Sequence, residues 1–181
     1  MPVQIGTKTH DFSDPTGLLS DCHRRIEMFL GSLQRLAQVI DSPLTSDELS
    51  ALETALYYFH DAAPKHTQDE EQSLFPRLRQ IDHPEIKSAL SKLETLENDH
   101  RHADTLHAEV HVLGLQCLKK GYLPLAEADR FRKALSDLTT IYAEHIQIED
   151  SVVFPAAQRA LSDSQKSVIA REMASRRDLN F

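Results

Sequence analysis

Two stretches of the sequence carry the same arrangement of residues that can bind metals. Each begins with a histidine, has a glutamate four residues later, and ends in Phe-Pro after four more residues. The two stretches are residues 66–76 (HTQDEEQSLFP) and 145–155 (HIQIEDSVVFP). Because positions i and i+4 lie on one face of a helix, His66 should point the same way as Glu70. The same holds for His145 and Glu149. An imidazole and a carboxylate on one face form a nitrogen–oxygen site, which suits iron, manganese or zinc better than Cu(I).

A further histidine precedes each of these stretches. His23 lies 43 residues before His66, and His100 lies 45 residues before His145. The chain therefore consists of two similar helical hairpins, each of which supplies one separate histidine and one His-x-x-x-Glu pair.

All six groups interrupt the apolar stripes of the helices that carry them. His66, for example, lies three residues after Ala63 and seven after Phe59, and Glu70 and Leu74 continue the same line. The six groups should therefore face the interior of the protein. A bare carboxylate is costly to bury, and a bound cation removes that cost.

The four histidines should also lie at one level along the helices. With turns centred near residues 43–44, 82 and 122, histidines on successive helices are nearly equidistant from the turn that joins them. At a rise of ~1.5 Å per residue, each such pair differs by only about 3 Å along the axis. Any one of these histidines alone is better explained as an ordinary core or surface residue, but the six groups together favour a metal site. Four histidines and two glutamates suffice for two metal ions with open coordination positions, and each glutamate is able to bridge them.

Apolar periodicity predicts the elements that position these groups. Four long helices should run over about residues 16–40, from 45 or 46 to 76 or slightly beyond, from 84 to 121, and from the turn at 121–124 through the second motif. A short fifth helix should cover about residues 163–177, and no segment is typical of a strand. The predicted fold is all-α, an antiparallel up-down four-helix bundle with a short C-terminal fifth helix. Residues 1–15 are predicted as an N-terminal tail, and residues 16–181 as the bundle domain with its C-terminal helix.

Composition excludes several classes of protein. The 181 residues suit one domain, and a chain with ten histidines and a net charge of -8 is a poor nucleic-acid binder, because phosphate contacts need clustered Lys and Arg. Two cysteines, Cys22 and Cys117, cannot form a disulfide framework, which favours a reducing cytoplasm. No apolar run approaches the ~20 residues of a membrane span, and no secretory signal is visible.

The sequence resembles the hemerythrin-like, or HHE cation-binding, family over roughly residues 16–160. The residues that carry the resemblance are His23, His66, Glu70, His100, His145 and Glu149, with Phe75-Pro76 and Phe154-Pro155. The resemblance implies an up-down bundle that holds a non-haem di-iron centre, bridged by two carboxylates and usually by an oxo or hydroxo group. Members of this family bind dioxygen, sense oxygen, nitric oxide or iron, or defend against oxidative stress.

One position departs from the pattern of the animal oxygen carriers of this family. Those proteins have a His-x-x-x-His pair on the third helix, whereas His100 is followed four residues later by Asp104. The fifth imidazole is therefore not in its usual place, which argues against reversible oxygen carriage.

We therefore expect a cytoplasmic protein that holds two iron ions, with zinc or manganese as alternatives, and binds or senses a small molecule such as dioxygen or nitric oxide. An enzyme that reduces peroxide or nitric oxide at a di-iron centre stays open, although it would need an electron donor and the chain has no flavin or iron–sulfur motif. An iron-handling protein, or an interaction module stabilised by a metal such as zinc, also stays open. We expect no nucleic-acid or membrane partner, and the chain is a monomer or a homodimer.

Several neighbouring residues have two interpretations. Glu27 and Asp104 lie four residues after His23 and His100. Each is an added ligand, a hydrogen-bond acceptor behind a ligand, or a solvated helix residue, and we prefer the solvated interpretation.

Other polar residues lie further along these helices. His107 and His111 form either a second weak site or an ordinary polar stripe, and we prefer the stripe. Tyr142, one turn before His145, either hydrogen-bonds a bound oxygen species or packs in the core, and core packing is the preferred reading. Pro64 is expected to kink the second helix near the site.

Overall fold

The structure is a computed structural model that describes residues 10–179, apart from the side chain of Glu85. Residues 1–9 of the predicted tail lie outside the described residues. Eight α-helices are present in this range: α1 (Pro15–Ala37), α2 (Ser46–Tyr57), α3 (Ala63–Gln68), α4 (Phe75–Leu78), α5 (Pro84–Lys120), α6 (Leu125–Ile148), α7 (Phe154–Ala160) and α8 (Asp163–Ser175). Three π-helical segments join some of them: π1 (Tyr58–Ala62), π2 (Asp69–Leu74) and π3 (Glu149–Val153). Between residues 10 and 179 there is no strand, which confirms the all-α prediction.

The π segments make two of the predicted helices continuous. Residues 46–78 form one uninterrupted helical rod through α2, π1, α3, π2 and α4, and residues 125–160 form another through α6, π3 and α7. With α1, α5 and α8, the described part of the chain therefore has five rods, as the periodicity predicts.

Each π segment ends two residues before a proline. The amide N–H groups of Ala63, Phe75 and Phe154 each donate to the carbonyl oxygen five residues earlier, and each of these residues is followed by a proline. A proline in a helix has no N–H, and its ring clashes with the carbonyl four residues before it. The wider π turn is the local form that the helix takes at this point. The kink expected at Pro64 is thus a π segment, π1, which ends two residues before that proline.

The ends of the helices differ from the predictions by a few residues. The first helix ends at Ala37 rather than Ile40, because Gln38 and Val39 already donate to carbonyls only three residues back, in tight turns. Thr45 is the N-cap of α2 and accepts a hydrogen bond from the N–H of Glu48.

The helices divide into two compact units, and α1, α5 and α6 each contribute residues to both. The first unit comprises residues 10–25, 64–98 and 144–179 of the described chain, and the second comprises residues 26–63 and 99–143.

The first unit has a continuous apolar core. It contains the residues around both Phe-Pro motifs and extends to the C-terminal helix, where Ile169 and Met173 are buried in the same cluster as Phe75 and Phe154. The N-terminus of α8 is fixed by a capping box between Ser162 and Gln165. The predicted fifth helix therefore packs on the unit that carries both repeated motifs.

The second unit is filled by the predicted apolar stripes. Leu33, Leu52, Leu113 and Leu135 are almost completely buried. Two backbone hydrogen bonds join the α1–α2 and α5–α6 connections, from Leu44 to the Gly121 carbonyl at 2.8 Å and from Leu123 to the Ile40 carbonyl at 2.7 Å. Gly121 has φ +84°, the left-handed conformation that glycine adopts most easily after a helix.

Most residues of the predicted stripes are buried, and two are only half-buried, Leu90 and Tyr142. Within the described residues no helix is long and apolar enough to cross a membrane.

Candidate metal centre

All six predicted site residues lie on helices or π segments and are buried. The four histidines lie on four different helices, and the two glutamates lie in π2 and at the start of π3. None of the six is more than 6% exposed, and both glutamates are completely buried. Such burial of charged residues needs partners or a bound ion.

The structure brings these residues into two overlapping groups that could hold a metal ion. The first group is His23, His66, Glu70 and Glu149, and the second is Glu70, His100, His145 and Glu149. In each group one nitrogen or oxygen atom of every residue lies within 4.8 Å of the others. Both glutamates belong to both groups, which is the placement needed for carboxylates that bridge two ions. The role of the six as ligands stays a prediction.

Two histidines face one oxygen of Glu149. The Nε2 atoms of His145 and His23 each lie 3.1 Å from Glu149 Oε2. Among the described residues, neither oxygen of this carboxylate accepts a well-aligned hydrogen bond. A fully buried carboxylate in this state fits a cation, because the ion replaces the hydrogen bonds that water would give it.

Glu70 lies on the other side of His23. Its Oε1 atom is 3.2 Å from His66 Nε2 and 4.0 Å from His23 Nε2. The Nε2 atom of His23 therefore faces both carboxylates.

The ring of His23 is held in this orientation from behind. Its Nδ1 atom lies 3.0 Å from Asp150 Oδ1, and this carboxylate also accepts a hydrogen bond from Ser20 Oγ at 2.7 Å. The Asp150 carboxylate favours a proton on Nδ1, so that Nε2 would be the atom available to a bound cation. The ring also stacks on Phe154, with centroids 5.3 Å apart and planes at 15°. The phenylalanine of the second Phe-Pro motif therefore packs against a candidate ligand.

The two glutamates have opposite pKa shifts. Burial raises the pKa of Glu70, and the nearby negative charge of Glu149 raises it further. Burial would also raise the pKa of Glu149, but its contacts with His145 and His23 hold it below its usual range. Two carboxylates this close in a buried site do not both ionise easily without a positive charge. A divalent cation supplies that charge.

His23 has a strongly raised pKa in the same environment. Burial lowers it, but the hydrogen bond to Asp150 and the contact with Glu149 outweigh burial and raise the pKa of His23 to about 10. Without a cation, His23 thus carries the positive charge of the site.

The alternative ligands are not part of this cluster. Glu27 and Asp104 are exposed, in agreement with their interpretation as solvated helix residues.

The hydroxyl of Tyr142 contacts a histidine of the second unit. It lies 2.8 Å from Nε2 of His107. His107 also stacks on Phe59, with centroids 4.5 Å apart.

Sequence reasoning missed two aspartates, each of which directly adjoins a motif glutamate. Asp150 lies inside the second motif, next to Glu149, but its partner His23 is 127 residues away. Asp69 lies next to Glu70 and is completely buried, yet nothing in the local sequence distinguishes it from a solvated acidic residue. The signal that was present is position: each aspartate adjoins a motif glutamate.

Comparison with known proteins adds a family and one relative. Residues 14–157 match the sequence model of the hemerythrin HHE cation-binding domain. A protein of Haemophilus influenzae, described as an uncharacterized protein, is 25% identical over 179 residues. That alignment covers 98% of this chain and 96% of the relative, so it continues past the family match and through α8.

Proposed function

The chain belongs to the hemerythrin family of HHE cation-binding domains, and from that premise we propose that it holds two iron ions at which a small molecule such as dioxygen or nitric oxide binds. The observation that carries the proposal is the pair of four-residue groups that share two buried glutamates. Zinc and manganese bind the same nitrogen and oxygen donors, so the metal itself has to be measured.

The residues of the chain have distinct roles in this proposal. His23 and His66 would hold one ion, His100 and His145 would hold the other, and Glu70 and Glu149 would serve both. Asp150 orients His23 through its Nδ1 atom, and Phe154 packs against the face of that ring.

The proposal includes the arrangement of the helices. We place α1, the rod 46–78, α5 and the rod 125–160 in an antiparallel four-helix bundle. The hydrogen bonds that join the α1–α2 and α5–α6 connections support this arrangement, because both connections then lie at one end.

A bound ion would keep open coordination positions. The four donors of each group would leave room on iron for an external ligand, and binding of that ligand is the chemistry that the ions would supply. The chain itself contributes an apolar surrounding, since Leu74 and Val153, which follow the two glutamates by four residues, are completely buried. Asp104, in place of a fifth histidine, favours binding or sensing over reversible carriage of oxygen.

The proposal is tested by loading the purified protein with Fe(II) under anaerobic conditions and measuring iron per chain. We expect two iron ions per chain, and near-ultraviolet charge-transfer bands after exposure to dioxygen. Glu149→Gln should lose at least one iron, because it removes a carboxylate common to both groups. Glu144→Gln, which changes an exposed glutamate on the same rod, serves as the control and should retain two.

A stoichiometry of zero or one iron in the unchanged protein would overturn the proposal. Addition of nitric oxide to the reduced, loaded protein distinguishes binding from turnover. One stoichiometric spectral change supports a binding or sensing protein, whereas continuous consumption of nitric oxide or peroxide with an added reductant contradicts it and supports an enzyme.

A further inference from the structure

Two arginines near the C-terminus hold a buried aspartate beside the candidate site. Asp69 is completely buried and is the first residue of π2, directly before Glu70. Arg176 Nη1 lies 2.8 Å from Asp69 Oδ1, and Arg177 Nη2 lies 2.6 Å from Asp69 Oδ2. Each carboxylate oxygen thus has its own guanidinium partner, from the segment that follows α8.

Arg176 has a second contact on the same π segment. Its Nη2 atom donates to Ser73 Oγ at 2.9 Å, and Ser73 is also completely buried. The planar guanidinium therefore spans two side chains of π2, Asp69 and Ser73. A lysine lacks this planar fork, because its donors are all on one nitrogen atom.

These contacts fasten the segment that carries Glu70. A π segment lacks the regular hydrogen-bond pattern of an α-helix and depends more on its surroundings. The apolar face of α8 adds Ile169 and Met173 to the core cluster that also contains Leu74 of π2. The contacts of Arg176 and Arg177 add directional, charge-assisted hydrogen bonds to this packing.

The C-terminal helix lies outside the family match, which ends at residue 157. The two arginines are thus an addition to the segment on which the family assignment rests.

We propose that Arg176 and Arg177 are positioning residues for the cation site, which act by holding Asp69 and thereby the π-helical segment that presents Glu70. This inference rests on the proposed function for its effect on metal binding, but its structural part can be measured without any metal. Removal of both guanidinium groups leaves a buried carboxylate uncompensated at the start of π2, and the segment should then open.

The first measurement is hydrogen exchange in the metal-free protein. The variant Arg176→Gln/Arg177→Gln should show faster exchange of the amides of residues 69–74. Two controls on α8 separate this effect from others. Arg171→Gln removes one exposed positive charge, and Ile169→Val removes one buried methylene without changing the ion pairs. Neither control should increase exchange in residues 69–74 as much as the double variant does.

The second measurement is the anaerobic affinity for Fe(II). We expect the double variant to bind iron roughly 10–100-fold more weakly, the usual effect of removing groups that orient ligands. Ile169→Val should lower the melting temperature but change the affinity less than about threefold. Arg176→Lys/Arg177→Lys should recover part of the loss, since it restores charge at Asp69 but not the contact with Ser73.

The outcomes separate the two proposals. If the unchanged protein binds no iron, the proposed function fails, while hydrogen exchange still decides whether the arginines hold π2. If iron binds but the double variant exchanges and binds like Ile169→Val, the positioning role is overturned. Should the double variant not fold, Asp69→Asn takes its place, because it removes the completely buried charge, and the two arginines, 17% and 24% exposed, can still reach water. Unchanged exchange and unchanged affinity in Asp69→Asn would equally overturn the inference.

Discussion

The same side chain behaves in opposite ways at a buried and at a half-buried position of this protein. The pKa of His23 is raised to about 10, because carboxylates contact both of its nitrogens. The pKa of His107 is lowered to about 4 by burial, since its contacts are a tyrosine hydroxyl and the ring of Phe59. A neutral partner cannot compensate the desolvation of an imidazolium. The identity of the neighbours therefore decides the chemistry of each histidine.

His107 should make the protein sensitive to acid. Its pKa in the folded protein lies below the ordinary value of 6.5, so between pH 6.5 and 4 the unfolded chain binds a proton that the folded one does not. The free energy of unfolding therefore falls as the pH decreases through this window, on the order of 2–3 kcal/mol at its lower end. His107→Gln should remove this contribution to the acid sensitivity. Urea denaturation between pH 7 and 4.5 should therefore show a smaller loss of stability for the variant than for the unchanged protein.

The exposed His102, on the same helix, provides the control. His102→Gln should lose stability in acid as the unchanged protein does. An equal loss in His107→Gln and His102→Gln would show that His107 does not contribute to acid sensitivity.

The helices that carry these residues were predictable, but their internal irregularities were not. The apolar spacing predicted the helical rods and the burial of all six site residues. The prediction succeeded at the site because each His-x-x-x-Glu pair begins in an ordinary α-helix, where positions i and i+4 share a face. The π segments were missed because a proline in a helix can be accommodated by a kink, a break or a wider turn, and the local sequence does not choose among them. The contact of Asp69 with Arg177 joins residues 108 positions apart, so no local pattern in the sequence predicts it.

Two glycines inside helices should respond oppositely to the same substitution. An alanine usually stabilises a helix interior by about 1 kcal/mol over glycine. At Gly31 in α1 there is room, since the nearest atom to an added Cβ is Arg35 Nη1 at 3.7 Å. At Gly114 in α5 an added Cβ would lie 2.5 Å from Leu56 Cδ1, and Leu56 is itself buried. We expect Gly31→Ala to raise the free energy of unfolding by about 0.5–1 kcal/mol, and Gly114→Ala to lower it by roughly 1–2 kcal/mol.

Denaturant unfolding of both variants measures this difference. Combination of Gly114→Ala with Leu56→Ala should cost less than the sum of the two single changes, because the smaller side chain makes room for the new methyl group. If Gly114→Ala stabilises the protein as Gly31→Ala does, the contact between Leu56 in α2 and Gly114 in α5 leaves room for an added methyl group.

At the scale of the whole molecule, two of the acidic groups that contribute to the net charge are buried, where a negative charge costs free energy. The net charge is -8, and most acidic side chains are solvated, but Glu70 and Glu149 are completely buried and close together. The raised pKa of Glu70 shows that the folded chain tolerates the second negative charge poorly without a cation. Folding and metal binding are thus linked, and an ion that binds only the folded state raises its stability by mass action.

Glu70→Gln should separate the stability of the fold from the stability that the metal adds. Because burial and Glu149 already disfavour the charged form of Glu70, its replacement by a neutral isostere should change the melting temperature of the metal-free protein by only a few degrees. Anaerobic Fe(II) at about 100 times its dissociation constant should raise the melting temperature of the unchanged protein by roughly 5–10 °C, the equivalent of about 2.7 kcal/mol. That rise should be lost in Glu70→Gln and retained in Glu144→Gln. A full rise in Glu70→Gln would mean that this glutamate does not hold the ion, and no rise in the unchanged protein would mean that iron does not bind the folded chain.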